Sequence, residues 1–122
     1  MKITRLYTGT DGESHFAEMQ LELAAAGLIG ALSEMYAATG VIFRLTDGAY
    51  DYCWHNAPCR QLVVMLDGAV EIEVGGGERR IFRGGDVLLA EDVTGRGHIS
   101  RAVDGQSRRS LFIPLKDNAL CR

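Results

Sequence analysis

The chain has 122 residues, 47% hydrophobic and 24% charged, with a formal net charge of −3, which is the size and composition of one globular domain. No apolar run approaches the ~18 residues of a transmembrane helix, so a membrane is not expected as a partner. No basic stripe interleaved with aromatic residues favours a nucleic acid either.

The beginning of the chain and its cysteines indicate a cytoplasmic protein. The N-terminal sequence MKITRLYTGTDGESHF has no apolar segment of the kind that a secretory signal needs. The three cysteines, Cys53, Cys59 and Cys121, show neither CxxC nor zinc-site spacing. Free thiols in a reducing compartment are the simplest interpretation of this odd number.

The first third of the chain carries the weakest structural signals. The segment FAEMQLEL, residues 16–23, fits a strand slightly better than a helix. The alanine-rich segment that follows, residues 22–40, could form a helix, but Gly27 and Gly30 each weaken it by about 1 kcal/mol relative to alanine. We expect a helical turn or two there, or a loop lying across the domain.

From residue 40 onward, short apolar segments alternate with turn signals. The segments predicted as strands are GVIFRL, AYDYCW, QLVVML, AVEIEV, RRIF, VLLA, GHISRAV and RSLFIPL. Asp-Gly pairs separate several of them, at residues 47–48, 67–68 and 104–105. Short strands with this density of turn signals are typical of an antiparallel sandwich or barrel.

Two of the connections are predicted as hairpins. In AVEIEV the apolar residues alternate with glutamates, which is the pattern of a half-buried strand. The pair Asp67-Gly68 before it predicts a hairpin with a type I′ turn. The stretch GGGERR at residues 75–80 lacks the Lys-Ser/Thr of a phosphate loop and is predicted to be a hairpin loop.

The stretch HNAPCRQLVVMLDG, residues 55–68, resembles the first motif of the cupins, a family of small antiparallel jelly-roll barrels. That motif contains a histidine pair, His-x-His, then a glutamate, and closes on a glycine. Gly68 corresponds to the closing glycine, and Gln61 stands where the family usually has glutamate. His55 and Ala57 stand where the family usually has its two histidines.

The stretch GGDVLLAEDVTGRGH, residues 84–98, resembles the second cupin motif. Gly85-Asp86 opens it, Glu91 stands where a proline is usual, and His98, two residues late, is the candidate histidine. Together with the early DGESHF, these strings resemble small bacterial single-domain cupins without an established reaction. The resemblance implies an all-β fold: a double-stranded β-helix, or cupin jelly-roll barrel. It covers a core of about residues 40–115, with a short N-terminal loop or helical segment, and implies a homodimer.

The resemblance and strand alternation together predict a small-molecule site at one mouth of the barrel. Alternate residues of a jelly-roll strand face its interior, so Met65 faces inward with Gln61, and Ser100 with His98. The predicted ligand-binding residues are Trp54, His55, Gln61, Met65, His98 and Ser100.

A metal site is the open alternative. His55, Gln61 and His98 are its tentative ligands, and His15 is a further one, with Glu91 and Asp92 also considered. Two histidines and a carboxylate would suit iron, zinc, nickel or manganese. An amide in place of the usual carboxylate disfavours such a site, and the absence of any metal is equally compatible with the sequence.

Three neighbouring side chains have less specific interpretations. Tyr50, Tyr52 and Trp54 alternate, so they are expected on one face of a strand, lining a cavity or covering the sheet or a dimer contact. Arg60 is expected to point out of the barrel. Cys59 is expected to face with Gln61 as a small hydrophobic residue rather than as a nucleophile.

Two function classes follow. The first is a small-molecule-binding cupin of unassigned reaction whose metal site is degenerate, because two of four ligand positions are changed. The second is a metal-dependent cupin enzyme of the dioxygenase, isomerase or lyase type with a rearranged histidine ligand set. A structural or regulatory domain ranks last, because no charge run or amphipathic helix supports it.

Overall fold

The computed structural model describes residues 1–120, so the predicted free thiol of Cys121 lies outside the described residues. The short 3₁₀ helix at Gly27–Ile29 is the helical element among the described residues. The strands are Lys2–Thr8 (β1), Ser14–Gln20 (β2), Ala24–Ala25 (β3), Ala31–Leu32 (β4), Ile42–Thr46 (β5), Asp51–His55 (β6), Gln61–Met65 (β7), Ala69–Glu73 (β8), Arg79–Arg83 (β9), Val87–Ala90 (β10), His98–Ala102 (β11) and Arg108–Pro114 (β12).

Two sheets form a jelly-roll-like sandwich, which confirms the predicted fold class. The six-stranded sheet has the order β2-β1-β10-β7-β12-β5, and the four-stranded sheet has the order β6-β11-β8-β9. Pairing is antiparallel except between β1 and β10, which run parallel. All eight segments predicted as strands after residue 40 form β5 to β12, with ends that differ by a few residues.

Strand alternation divides the apolar residues between two clusters, one on each face of the six-stranded sheet. On β10, Leu88 belongs to the cluster between the sheets, whereas its neighbour Leu89 belongs to the cluster on the outer face. The cluster between the sheets contains Leu6, Val63, Met65, Val70, Ile72, Val74, Phe82, Leu88 and Ala90. The outer cluster contains Ile3, Leu89, Leu115 and Leu120. On β7, Gln61, Val63 and Met65 are buried as predicted, and Leu62 packs on the outer cluster.

One lateral edge of the sandwich is closed by side chains that join the two sheets. Phe16 of β2 and Phe82 of β9 have ring centroids 6.0 Å apart. Arg80 of β9 lies over the Phe16 ring and pairs with Glu18 of β2, at 3.2 Å between Nη1 and Oε1. This edge therefore combines apolar packing with an ion pair.

The predicted hairpin at Asp67-Gly68 is wrong. β7 and β8, which it connects, belong to different sheets. Gly68 has a φ of 64°, but Asp67 is not among the residues of positive φ, so the type I′ condition fails. Asp67 instead accepts hydrogen bonds from the backbone N–H and Nε of Arg109 on β12. The loop at residues 75–80 does close a hairpin, because β8 pairs with β9.

The N-terminal region contributes more strand than helix. β2 lies where a strand was marginally preferred, and β1 pairs with it along its whole length. The alanine-rich segment forms a small hairpin of β3 and β4 around the single 3₁₀ turn, in line with the expected turn or loop. Among residues 1–120, no helix is long and apolar enough to span a membrane.

Candidate functional site

A cavity of about 390 Å³ lies between the two sheets. Apolar side chains line much of it, most of its polar residues lie toward the two ends, and Tyr52 and Ser100 lie between these ends. The lining residues are Ile42, Arg44, Thr46, Tyr50, Tyr52, His55, Asn56, Ala57, Pro58, Gln61, Val63, Met65, Val70, Ile72, Phe82, Leu88, Ala90, His98, Ser100, Arg108, Ser110 and Phe112. No Asp or Glu of the described chain is among them.

Cross-strand register builds the first polar end. β5 pairs with β12 so that Arg108 lies opposite Thr46, and Ser110 opposite Arg44. All four side chains line the cavity because they sit at alternate positions of their strands. Tyr50, which precedes β6, joins them, with its ring centroid 5.0 Å from the guanidinium carbon of Arg108. We call these five residues the arginine end.

Arg108 is the unusual residue of the arginine end. It is only 6% exposed, and its Nη1 has no hydrogen-bond partner. No carboxylate of residues 1–120 forms an ion pair with it, and its contact with the Tyr50 ring is a cation–π interaction. Burial lowers the pKa of Arg108, with the nearby Arg44 charge acting in the same direction. A guanidinium in this position carries a desolvation cost that no carboxylate of residues 1–120 offsets.

The second polar end contains His55, Asn56, Gln61 and His98, and we call it the histidine end. Gly97 permits its assembly: it has a φ of 82°, and a Cβ there would lie 2.0 Å from the carbonyl oxygen of His55. A side chain at position 97 would therefore push β11 away from β6. With glycine, the His98 and His55 rings approach to 4.4 Å between centroids.

The His98 ring is hydrogen-bonded to a buried carboxylate. Its Nδ1 lies 2.6 Å from Oδ2 of Asp92, whose side chain is fully buried. The hydroxyl of Ser14 donates to the same oxygen at 2.7 Å. An ionised carboxylate can only accept hydrogen bonds, so Nδ1 of His98 carries a proton. Nε2 is left without a partner among the described residues.

His55 has a different environment. Its Nδ1 lies 2.7 Å from the carbonyl oxygen of Cys53, which can only accept, so Nδ1 is again the protonated nitrogen. The ring stacks on Tyr52, with centroids 3.8 Å apart. Burial is the main cause that lowers the pKa of His55, and a positive charge on the neighbouring His98 would act in the same direction. His55 is therefore a neutral imidazole near pH 7.

The predicted common face of Tyr50, Tyr52 and Trp54 is wrong for Trp54. The register of β6 against β11 shifts between His98 and Ser100, which marks a bulge in this pair of strands. Tyr50 and Tyr52 line the cavity, but Trp54 does not. The Trp54 ring instead lies under Arg96, 3.9 Å from the guanidinium carbon to the ring centroid. Strict alternation fails where a strand is bulged.

The other predicted ligand-binding residues all line the cavity. Gln61, Met65 and Ser100 are buried there, at 5%, 3% and 8% exposure. Gln61 accepts a weak hydrogen bond from the thiol of Cys59, with 3.9 Å between sulfur and oxygen. Cys59 itself is not a lining residue, so it flanks Gln61 rather than filling the mouth.

Two of the further residues considered as metal ligands lie elsewhere. His15 is on β2, where its Nε2 lies 2.9 Å from a carboxylate oxygen of Asp11, outside the cavity. Glu91 pairs with Arg5 and with Arg60, at 3.0 Å to Nε of Arg60. Arg60 also donates to the carbonyl of Ala119, so it points out of the barrel as predicted.

The donor set does not fit a divalent transition metal. No group of three or more His, Cys, Asp or Glu side chains within residues 1–120 could hold one. The cavity offers two imidazoles and the amide of Gln61, where such ions favour anionic or additional nitrogen ligands. The two arginines in the same cavity wall add positive charge, which opposes the binding of a cation.

Three residues of the candidate site have contacts that the sequence did not predict. Arg108 and Arg109 form an Arg-Arg pair in the sequence, and the pairing of Arg108 with Thr46 of β5 places Arg108 inside. Ser14 lies 78 residues from Asp92, and no local pattern joins them. Asp92 was considered as a metal ligand but not as the partner of His98. For Arg108, one signal was available: it alternates along β12 with Ser110, which is buried, and Phe112, which is partly buried against the cluster between the sheets.

Comparison with known proteins identifies no family. No protein-family model and no curated protein sequence matches the chain. The crystal structure of protein NMB1881 from Neisseria meningitidis is similar with a TM-score of 0.49 and 18% identity, over 80% of this chain and 84% of that one. Protein Q, named for ethanolamine utilization, from Salmonella typhimurium LT2 is similar with a TM-score of 0.48 and 15% identity, over 97% and 98%. At these scores neither structure carries an argument about function.

Proposed function

We propose that this chain is a small-molecule-binding domain of the cupin type whose cavity holds an elongated organic anion. The observation that carries the proposal is Arg108, a buried guanidinium that faces the cavity without an acidic partner in the described chain. A bound carboxylate would supply the missing anion. Arginine suits this role because its planar fork matches a carboxylate with two parallel hydrogen bonds.

The rest of the arginine end supports an anionic ligand. Arg44 also lines the cavity, over the rings of Phe112 and Tyr50 rather than beside a carboxylate. The hydroxyls of Thr46 and Ser110 lie opposite the two arginines and are small donors for an oxygen-rich group. A cavity with two cations and no acidic lining residue attracts negative charge.

The apolar part of the lining supports a ligand with a hydrocarbon body. Val63, Met65, Ile72 and Phe82 line the cavity between its polar ends. Gln61 of β7 lies opposite Pro114 of β12, six positions along that strand from Arg108, or about 20 Å between backbone positions. A ligand that reaches both ends is therefore longer than a two- or three-carbon acid.

The metal-dependent enzyme is the second candidate, and one observation favours it. A histidine whose Nδ1 donates to a carboxylate, as His98 does to Asp92, is the usual arrangement of a metal-bound imidazole. The donor set described above argues against it. Elemental mass spectrometry of protein purified without an affinity tag decides between the two: near-stoichiometric iron, zinc, nickel or manganese would favour the metal enzyme.

Calorimetric titration with matched ligands tests the proposal itself. The probe is 6-oxoheptanoate, which has a carboxylate and a hydrocarbon chain, and the neutral analogue is heptan-2-one. We expect 6-oxoheptanoate to bind at least 10-fold more tightly than heptan-2-one, because charge-assisted hydrogen bonds contribute about 1.5–3 kcal/mol.

Arginine variants show whether the preference arises in the cavity. Arg108→Gln should remove most of the preference for the acid. Arg83→Gln, which removes the same charge from an exposed residue of β9, should keep it. Equal affinity for acid and ketone, or equal loss in both variants, would contradict the proposal.

A further inference from the structure

The histidine end contains His98, a basic side chain that is not needed to bind an anion at the arginine end. We propose that His98 acts as a general base toward the bound ligand, with Asp92 as its positioning residue. The protein would then catalyse proton transfer on a carbon acid that also carries a distant carboxylate. This inference rests on the proposed function, because the anion held at the arginine end places the ligand.

Geometry fixes which nitrogen of His98 can act. Asp92 and Ser14 form a chain in which one carboxylate oxygen accepts from both Nδ1 of His98 and the Ser14 hydroxyl, at 2.6 and 2.7 Å. That chain holds the proton on Nδ1 and orients the ring. The unshared pair of Nε2 is therefore the free basic site of a side chain that lines the cavity.

The same carboxylate stabilises the product of proton uptake. When Nε2 takes a proton, the imidazolium lies against a fully buried negative charge, where electrostatic attraction is stronger than in water. Oδ1 of Asp92 is buried without any hydrogen bond, so the charge of this carboxylate is not fully neutralised by other donors. A buried His–Asp pair facing a cavity is the arrangement of a general base.

His55 provides an internal contrast. Its Nδ1 donates to a neutral backbone carbonyl, and no carboxylate of residues 1–120 forms an ion pair with it, in contrast to His98. Burial lowers its pKa, so it stays neutral beside a protonated His98. His55 can accept a hydrogen bond from the ligand, and His98 is the group that takes the proton.

The step balances without any co-reactant. The C–H bond next to a ligand carbonyl breaks, its proton moves to Nε2 of His98, and its electron pair forms a C=C bond as the carbonyl becomes an enolate. Return of the proton to the same carbon, to its other face or to another atom of the enolate gives exchange, epimerisation or isomerisation. Nothing is oxidised or reduced. The amide N–H₂ of Gln61, at the same end of the cavity, is a donor for the enolate oxygen.

Deuterium exchange in three keto acids of increasing length tests the inference. The probes are 4-oxopentanoate, 6-oxoheptanoate and 8-oxononanoate, each with a terminal methyl ketone, and heptan-2-one is the neutral analogue. Proton NMR in D₂O follows loss of the methyl signal, while calorimetry on the same samples gives the affinity. We expect exchange above the buffer rate for at least one bound acid, with the fastest acid set by the distance between the ends.

Variants assign the exchange to His98. His98→Gln should lower the exchange rate at saturating probe at least 100-fold, as loss of a general base does. Asp92→Asn should lower the same rate at least 10-fold with an affinity within twofold of the wild type, a split that a merely structural role would not produce. His15→Gln, the exposed histidine paired with Asp11 outside the cavity, should leave both values unchanged.

The outcomes separate the two proposals. If an acid binds but exchanges no faster with the wild type than with His98→Gln, the general base is wrong and the anion site stands. If none of the three acids binds more tightly than heptan-2-one, the anion site fails, and the inference fails with it. If Asp92→Asn does not fold, the exchange rate of His98→Gln alone decides.

Discussion

The two lateral edges of the sandwich contain similar side chains, but these side chains have opposite roles. At the closed edge, between β2 and β9, Arg80 lies over the ring of Phe16 and also pairs with Glu18. At the open edge, between β5 and β6, Arg44 lies over Phe112 and Tyr50 and forms no ion pair with a carboxylate of residues 1–120. At the closed edge, the arginine over an aromatic ring also has a carboxylate partner, and the two sheets are joined there. At the open edge, the arginine has no such partner in the described chain, and its charge is left for a ligand anion in the cavity.

Substitutions at the closed edge should have the largest effect on the free energy of unfolding. Phe82 is 4% exposed and packs against both Phe16 and the cluster between the sheets. Phe82→Ala should lower the free energy of unfolding by about 3–5 kcal/mol, because it removes a buried ring and leaves a cavity. Urea unfolding followed by tryptophan fluorescence measures this loss.

A phenylalanine at the edge of β5 supplies the control. Phe43 is 80% exposed, so Phe43→Ala should change the free energy of unfolding by no more than about 0.5 kcal/mol. Similar losses in the two variants would show that the closed edge does not hold the sheets together.

At the open edge, a substitution that weakens ligand binding should increase the free energy of unfolding of the ligand-free protein. Arg108→Met replaces an unpaired buried guanidinium by an apolar side chain of similar length, so the ligand-free protein should gain about 1 kcal/mol of unfolding free energy. The same variant should lose the preference for 6-oxoheptanoate over heptan-2-one. Thermal unfolding with and without the acid measures both effects. A ligand-free variant less stable than the wild type by 1 kcal/mol or more would show that Arg108 is a structural residue.

The ion pair of the closed edge should contribute less than its aromatic contacts. Arg80 and Glu18 are partly exposed, at 34% and 53% of their side chains, so their coupling in a double-mutant cycle should be about 0.5 kcal/mol. The coupling should shrink at 1 M salt, where charges are screened within about 3 Å. The cycle uses Arg80→Gln, Glu18→Gln and the double variant. A coupling near zero, with Arg80→Gln still destabilising, would assign the contribution of Arg80 to its contact with Phe16.

The fold was largely predictable because period-two alternation and Asp-Gly turns are local signals. The strands from β5 to β12 follow from them, as does the inward position of Gln61 and Met65. Which strands pair is not a local property, and the supposed hairpin at residues 67–68 in fact joins two sheets.

The site was predictable only in part for the same reason. His55, Gln61 and His98, which stand at positions that resemble the cupin motifs, line the cavity. Trp54 was misplaced by a bulge that alternation cannot show. Arg108 depends on pairing between β5 and β12, which are more than sixty residues apart in the sequence, so no pattern within either strand could reveal an unpaired charge.

The smallest expected effect is a pH dependence at the open edge. The pKa of His55 is lowered from 6.5, mainly by burial, so the unfolded chain binds a proton at higher pH than the folded one. Below pH 6.5 the unfolded state therefore holds more protons, and stability falls as pH falls until the folded pKa is passed. Well above pH 6.5 both states are neutral at this residue, and His55 contributes no slope.

His55→Gln should remove that component of the slope. The free energy of unfolding, measured by urea at steps between pH 8 and pH 5, should fall less steeply in His55→Gln than in the wild type below pH 6.5. Well above that pH the two curves should run parallel. Since His55 stacks on Tyr52 beside the cavity, its burial is a property of the open edge. Curves that stay parallel throughout would mean that the His55 ring is as hydrated in the folded protein as in the unfolded chain, and that the open edge is wider than the stacked rings indicate.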